Sequence, residues 1–413
     1  MALVPMKQVL DEAEKGGYGV GAFNMNNMEQ LQAIMDAATE KKSPVILQVS
    51  EGALKYSDME ALPAMLKAMV KMEKYAGINV ALHLDHGRNI ETCKRAIKLG
   101  FTSVMYDGSL KEDGKTQEHD IEANIARTRE VVAFAHARGV TVEAELGALG
   151  GSDDVAAGKI EYTDPAQAAR FVKETGVDAL AISVGTSHGA YKSVGEIRLD
   201  QDRITRIKDA VREATGREFP LVLHGASSVP KEMVESLDRF TVVMKRREQN
   251  GDTVLAFNQG TPYIEGGKPK IRFEEVKVNL SEPDPDDALR FLKALGDSHR
   301  LAKASGVPNP MKVEAIRRGV RKVNIDTDGR LANTDALLTV AQASPDRFDP
   351  RDFGKPSRAA MQKWVASQME TFGCAGRNGD YQPKSLEDMR RLYELEALSK
   401  AAPNPQPKQM NRQ

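Results

Sequence analysis

The chain has 413 residues, with 58 lysines and arginines against 59 aspartates and glutamates and a formal charge of −1. That balance offers no basic surface for nucleic acid or an anionic membrane, and no apolar run approaches the ~20 residues of a membrane-spanning helix. With 41% apolar and 28% charged residues it has the composition of a globular protein with a sizeable core, allowing two or three domains of roughly 150 residues or one large barrel with additions. Cys93 and Cys374 are too few for a disulfide framework and too far apart for a thiolate metal site, which points to a reducing, cytoplasmic setting. The opening Met1-Ala2-Leu3-Val4-Pro5-Met6-Lys7 lacks the charged-then-apolar order of a signal peptide.

In chain order, short aliphatic runs alternate with amphipathic stretches. The runs are Tyr18 to Phe23, Pro44 to Val49, Ile78 to Leu84, Thr102 to Tyr106, Val140 to Glu145, Ala179 to Val184, Pro220 to Leu223 and Lys322 to Ile325. Between them lie helical patterns such as Glu29 to Lys41, Glu60 to Tyr75, Ile90 to Leu99 and Glu122 to Arg138. Strands apolar throughout and alternating with helices predict a parallel sheet covered on both faces. About eight such units, with no glycine-rich dinucleotide fingerprint after the first, predict a closed (β/α)8 TIM barrel; an open doubly wound sheet is the alternative.

Two regions depart from the repeat. Between the seventh and eighth strands, Arg239 to Gln249 and Asp252 to Phe257 flank Asn250-Gly251, a tight hairpin signal. Pro262 to Ile264 and Lys270 to Leu280 flank Gly266-Gly267, a second one, and Pro283 to Asp287 reads as a helix start. The segment 238–305 is therefore expected to be an inserted β-meander plus helix, with a disordered insertion as the alternative. The barrel spans residues 1–376 around it, and 377–413 is expected to be a C-terminal helix, from about Ser385 to Lys400, and a disordered tail.

A barrel places its chemistry just past the C-terminal ends of its strands. Those positions hold Asn24, Ser50, Asp85-His86, Asp107, Glu145, His188, His224 and Asn324 to Asp326, so three of the 7 histidines fall there. His86, His188 and His224 are each followed by glycine, which lets backbone approach a ligand. Three imidazoles at one barrel mouth suit a divalent transition metal, zinc above all. His83 reads as a core histidine, and His119, His136 and His299 as ordinary surface residues. No strand interior offers an obvious Schiff-base lysine.

These motifs together resemble the class II, metal-dependent fructose-bisphosphate aldolases. They are Gly-Ala-Phe-Asn-Met-Asn-Asn at 21–27, Leu-Asp-His-Gly at 84–87, Val-Glu-Ala-Glu-Leu-Gly at 142–147, Gly-Thr-Ser-His-Gly-Ala-Tyr-Lys at 185–192, His-Gly-Ala-Ser-Ser at 224–228 and Lys-Val-Asn-Ile-Asp-Thr-Asp at 322–328. The resemblance implies that His86, His188 and His224 hold the catalytic metal, with Asp107 and Glu145 beside it for a second or displaced ion. It implies that Asp85 is the general acid/base at the C4 hydroxyl and that Asn324 orients the substrate. It assigns Gly189, Lys192, Gly225, Ser227, Asp326 and Thr327 to a phosphate and monovalent-cation region, and Ser50 and Asn24 to the other end of the substrate. Arg351 resembles an arginine that reaches a phosphate in an adjacent subunit, implying a homodimer or homotetramer.

The implied reaction splits fructose 1,6-bisphosphate into dihydroxyacetone phosphate and glyceraldehyde 3-phosphate, as in glycolysis and gluconeogenesis. Retro-aldol cleavage leaves an ene-diolate whose charge a metal stabilises as a Lewis acid. One departure stands out. Where the family carries a Glu-Asp pair in the loop after the fifth strand, this chain has Asp153-Asp154, so the proton shuttle falls to Asp153, one methylene shorter, or to Asp154. Alternatives are an aldolase for tagatose or sedoheptulose bisphosphate and a barrel recruited to bind a protein partner with reduced catalysis. Asn-Ile-Asp-Thr-Asp at 324–328 resembles the fructose enzymes more than the tagatose branch.

Overall fold

The computed structural model describes residues 3–109, 111, 118, 120–147, 161–186, 198–231, 233, 306–344 and 346–401, and the backbone of 243–249, 252–265 and 268–279. The aliphatic runs form strands because their side chains are buried on both faces of one sheet. They are β1 (Val20–Asn24), β2 (Val45–Ser50), β3 (Val80–Gly87), β4 (Ser103–Tyr106), β5 (Thr141–Leu146), β6 (Ala179–Ile182) and β7 (Leu221–Leu223). After three inserted strands, β8 (Val243–Gln249), β9 (Asp252–Glu265) and β10 (Lys268–Asn279), the chain returns as β11 (Val320–Ile325). All eight barrel strands run parallel, and β1 closes the ring by pairing with β2 and β11, Phe23 opposite Leu47 on one side and Ile325 on the other. The expected (β/α)8 barrel is the observed one.

Helices cover the outside, and polar caps set where they start. Asn27 accepts from the Gln30 amide to begin α2 (Met28–Lys41), and Asn89 accepts from Thr92 to begin α5 (Ile90–Lys98). Asp164, followed by Pro165 at the first helical position, does the same for α7 (Pro165–Thr175), and Asp200 accepts from the Arg203 amide to begin α8 (Gln201–Thr215). The helix expected over Glu60 to Tyr75 is shorter, α4 (Ala61–Met69) plus one 3-10 turn at Glu73–Tyr75, with α3 (Glu51–Tyr56) before it. Asp58 and Met59 between α3 and α4 take left-handed backbone, φ 49° and 67°, which no continuous helix admits.

α1 (Met6–Gly16) sits at the N-terminal end of the barrel, where the Val4 amide donates to Val80 and the Lys7 amide to Thr141 Oγ1. The C-terminal helix α12 (Leu386–Ala401) docks on α6 (Ile121–His136). There Tyr393 stacks on His136, ring centroids 3.7 Å apart and 5° from parallel, and Asp178 Oδ2 accepts from the Tyr393 hydroxyl and pairs with His136 Nε2. His136 is thus a docking contact and not the ordinary surface residue its place in a helical pattern suggests. His119 and His299 lie outside the described residues.

The insertion is an antiparallel sheet in the order β10-β9-β8. Gln249 pairs with Asp252 and Glu265 with Lys268, so each hairpin leaves two residues between its strands, at the expected Asn250-Gly251 and Gly266-Gly267. Pro262 to Ile264 is not a separate strand but the end of β9. It lies past Asn258, the last residue paired with β8, where one edge of β9 has no described neighbour and proline is tolerated. The expected helix after residue 283 lies outside the described residues, as does the tail from 402.

Candidate metal centre and active site

Of the side chains expected at the barrel mouth, Asn24, Asp85, His86, Asp107, Glu145, His224 and Asn324 lie together. β3 delivers two neighbours at once, because its pairing with β4 slips between Leu84 and Gly87 and His86 takes left-handed backbone, φ 52°. Adjacent residues of a regular strand face opposite sides; this bulge turns Asp85 and His86 into the same pocket, with Asp85 Oδ1 4.0 Å from His86 Nε2. From β7, His224 brings its Nδ1 to 3.0 Å from His86 Nε2, the rings meeting edge to face. His86 Nδ1 lies 3.0 Å from Asp107 Oδ2 and 3.8 Å from Glu145 Oε2.

Among the described residues, two three-residue sets offer ligand atoms within 4.8 Å of one another: Asp85, His86 and His224, and His86, Asp107 and Glu145. Imidazole nitrogens plus carboxylates form the donor set of a divalent transition metal. Glu145 Oε2 is buried with no hydrogen-bond partner among the described residues, and burial followed by repulsion from Asp107 pushes its carboxyl well above the usual range. A buried acid crowded by acids is one that a cation relieves, so the residues fit a metal. His188, Gly189, Lys192, Asp153 and Asp154 lie outside the described residues.

Asp85 is held by two amides, one from Asn24 Nδ2 at 2.7 Å and one from Asn324 Nδ2 at 3.2 Å. Asn24 is itself fixed by Gln48 Nε2 at 2.8 Å. Burial alone would raise the Asp85 carboxyl, but His86, His224 and Lys322 and the Asn24 hydrogen bond outweigh it and lower it to about 2. Burial would likewise lower His86, yet Asp107, Asp85 and Glu145 raise it to about 10.

Ser227 is buried and its Oγ accepts from the Asp326 amide at 3.4 Å, joining the loop after β7 to the start of α10 (Thr327–Ala343), whose first residue is Thr327. Gly225, at φ 60°, turns the chain out of the barrel two residues before Ser227. Ser50 caps α3 by accepting from the Ala53 amide. Arg351 stands apart: it is exposed at the start of α11 (Pro350–Phe372), and its guanidinium folds back on Asp349.

Profile comparison decides the family. The profile described as fructose-bisphosphate aldolase class-II matches residues 4–377. The chain belongs to that family. It is 42% identical over 395 residues to the fructose-bisphosphate aldolase of Giardia intestinalis, covering 95% of this chain and 100% of that one. It is 39% identical over 406 residues to the fructose-bisphosphate aldolase of Pseudomonas aeruginosa, covering 95% and 97%. Among solved structures, the YdjI aldolase from Escherichia coli K12 superposes with a TM-score of 0.59 at 26% identity, covering 91% of this chain and 99% of that one. As a class II aldolase the chain is a lyase that works with a divalent metal.

Beneath the aldolase pocket lies a buried charged group that sequence reasoning missed. Lys322, fully buried in β11, places Nζ 2.9 Å from Glu143 Oε2 and 2.8 Å from Asn324 Oδ1. Glu143 also holds His224 Nε2 at 2.8 Å and faces His83 Nε2 at 3.4 Å. His83 is the core histidine expected, bonded to Ser103 Oγ, and burial and Lys322 keep it well below its usual value. Lys322 is a lysine in a strand interior, where the sequence offers no obvious Schiff-base lysine, and its partners are Glu143 and Asn324. It belongs to the quoted motif Lys-Val-Asn-Ile-Asp, so the signal was there: a residue two places before Asn324 shares its face of the strand.

Proposed function

We propose that the protein reversibly cleaves fructose 1,6-bisphosphate to dihydroxyacetone phosphate and glyceraldehyde 3-phosphate. The observation that carries this reading is Asp85, ionised and braced by Asn24 and Asn324, beside the imidazoles of His86 and His224 in a barrel of the aldolase family. In this scheme His86 and His224, with His188, hold a divalent ion, zinc first among candidates, and Asp107 and Glu145 receive a second or displaced one. Bound there, the ion supplies Lewis-acid stabilisation of the negative charge that C3–C4 cleavage leaves on the triose.

Asp85 takes the proton from the C4 hydroxyl as the bond breaks and returns it in condensation. Asn324, tied by Lys322 on its carbonyl side, keeps its amide nitrogen turned toward the pocket and orients substrate and base together. Gly225, Ser227, Asp326 and Thr327, with Gly189 and Lys192, receive one phosphate and a monovalent cation, while Asn24 and Ser50 stand at the other end. Asp153, or Asp154 beside it, moves the proton on the dihydroxyacetone carbon. Arg351 reaches the phosphate of a neighbouring subunit in a homodimer or homotetramer, and the enzyme works in cytoplasmic glycolysis and gluconeogenesis.

The decisive assay couples triose phosphate release to fructose, tagatose and sedoheptulose bisphosphates with and without chelator. The reading expects cleavage of the fructose sugar to be fastest, abolished by chelation and restored by zinc or cobalt. Full activity in excess chelator, with borohydride trapping of substrate, would sink the metal mechanism.

A further inference from the structure

The loop after β7 is under backbone strain, and the structure shows what holds it. Val229 takes left-handed backbone, φ 49°, which a β-branched residue adopts only when its surroundings force it. The force comes from the segment that enters the last barrel unit. Asp328, fully buried at the start of α10, accepts from the Ser228 and Val229 amides, each at 2.7 Å. Gly306 packs so closely that a Cβ there would lie 2.2 Å from the Ser228 carbonyl carbon, and the Val307 amide donates to the Ser227 carbonyl.

The last tie is a cation. Lys312, on α9 (Asn309–Arg317), is fully buried, and its Nζ donates to Ser228 Oγ at 2.6 Å and to Gln368 Oε1 of α11 at 3.1 Å. Among the described residues no carboxylate forms an ion pair with it. Asp328 is the charged group that faces it, Phe372 presents its ring 5.7 Å away, and Ser228 Oγ turns its own proton to Asn309 Oδ1. An ammonium can only donate, so it fixes the direction of the Ser228 hydroxyl as well as its position.

We propose that Lys312 is a positioning residue for the phosphate end of the substrate, holding the strained Ser227-Ser228-Val229 turn so that Ser227 stands ready for the dianion. The proposal rests on the reading of Gly225 and Ser227 as phosphate contacts and deepens it. With the Ser228 and Val229 amides already committed to Asp328, the turn has one arrangement in which Ser227 keeps its Oγ against the Asp326 amide. Removing the ammonium frees Ser228 and lets Val229 relax out of its strained backbone, so the turn must be reordered each time phosphate binds. A bound dianion also answers a buried charge that no described carboxylate neutralises. Burial, only partly offset by Asp328, lowers the Lys312 ammonium to about 8, so the charge is present at neutral pH and leaves just above it.

The test uses metal-loaded full-length protein as wild type, Lys312→Met and Lys312→Gln. Replacing a buried cation that lacks a direct carboxylate partner by a similar-sized apolar chain is compatible with folding, and the glutamine variant decides if the methionine variant is unfolded. Steady-state cleavage of fructose 1,6-bisphosphate should show KM raised roughly tenfold to a hundredfold, the range of one charge-assisted hydrogen bond, with kcat within about twofold. Calorimetric titration with inorganic phosphate should show the same loss without turnover, while zinc affinity stays unchanged. The wild-type KM should rise as pH passes about 8, and the Lys312→Met profile should be flat across that window. Unchanged KM and phosphate affinity in folded, metal-loaded variants would overturn the role of Lys312. A wild type that cleaves no ketose bisphosphate would instead overturn the proposed function.

Discussion

The site works through residues whose partners are as informative as they are. Asp85 is the clearest case: two amides aim it, and cationic neighbours keep it ionised. Asp85→Ala should keep zinc affinity and lose about 10²–10⁴ in kcat, the span of a general acid/base. Metal titration beside steady-state kinetics checks both halves, and normal turnover would remove Asp85 from its role. Glu143 acts one step back, orienting His224 while balancing Lys322. Glu143→Gln is expected to weaken zinc binding about 10–100-fold. Glu143→Leu strands Lys322 in the core and should cost ~3–5 kcal/mol of stability, most of it recovered in the Glu143→Leu, Lys322→Met pair. Chemical denaturation of the two singles and the double decides; additive losses would mean the two side chains do not interact.

At the scale of elements, the mouth was legible and the supports were not. Asn24, Ser50, Asp85, Asp107, Glu145, His224 and Asn324 all stand in the last three residues of a strand or just past it, because a switch from apolar run to helical pattern marks where a parallel strand stops. The bulge that turns His86 beside Asp85 leaves no such mark, since it is a slip in pairing with β4. Lys312 was hidden for a different reason: on an amphipathic helix a lysine reads as the solvated face, and only the packing of α11 over α9 encloses it. His136 was hidden in the same way by α12.

The docking of α12 carries its own prediction. Burial alone would raise Asp178, but His136, Lys7 and the Val142 amide outweigh it and hold the carboxyl below its ordinary value. A depressed carboxylate stabilises above its unfolded pKa, and the contribution is lost as pH falls through the folded one. Burial and Asp178 push the Tyr393 phenol well above 10, a contribution present below pH 10 and lost as pH rises past it. Amide-exchange protection factors across Leu386–Ala401, which remove the intrinsic base catalysis of exchange, should therefore be high between those limits and fall on either side. Tyr393→Phe should remove the alkaline limb; an unchanged alkaline limb would refute the assignment to Tyr393.

For the whole molecule, near-zero net charge now has a local explanation. The anionic substrate would be met by metal, hydroxyls and a few enclosed cations, with no general field needed. The insertion adds length without entering the barrel's strand order, β7 pairing directly with β11. Because loop-closure cost grows only with the logarithm of length, replacing 238–305 by a short linker shortens the β7–β11 connection roughly threefold and changes that cost by only about 1 kcal/mol. Such a chain is expected to melt as a cooperative barrel within a few degrees of the parent; loss of the cooperative transition would show that the insertion supports the fold.

That strand order has a consequence during synthesis. The ring closes only when β11 slots between β1 and β7, and roughly a hundred residues separate Leu223 from Val320. At ribosomal speeds of about 5–20 residues per second the gap lasts about 5–20 s. For that time the nascent chain carries seven apolar strands as an open sheet with two unpaired edges, the state most prone to join a neighbour's sheet. The inserted hairpins, local in sequence and able to pair as they emerge, are made during that interval. The insertion thus sets how long the unfinished barrel depends on chaperones.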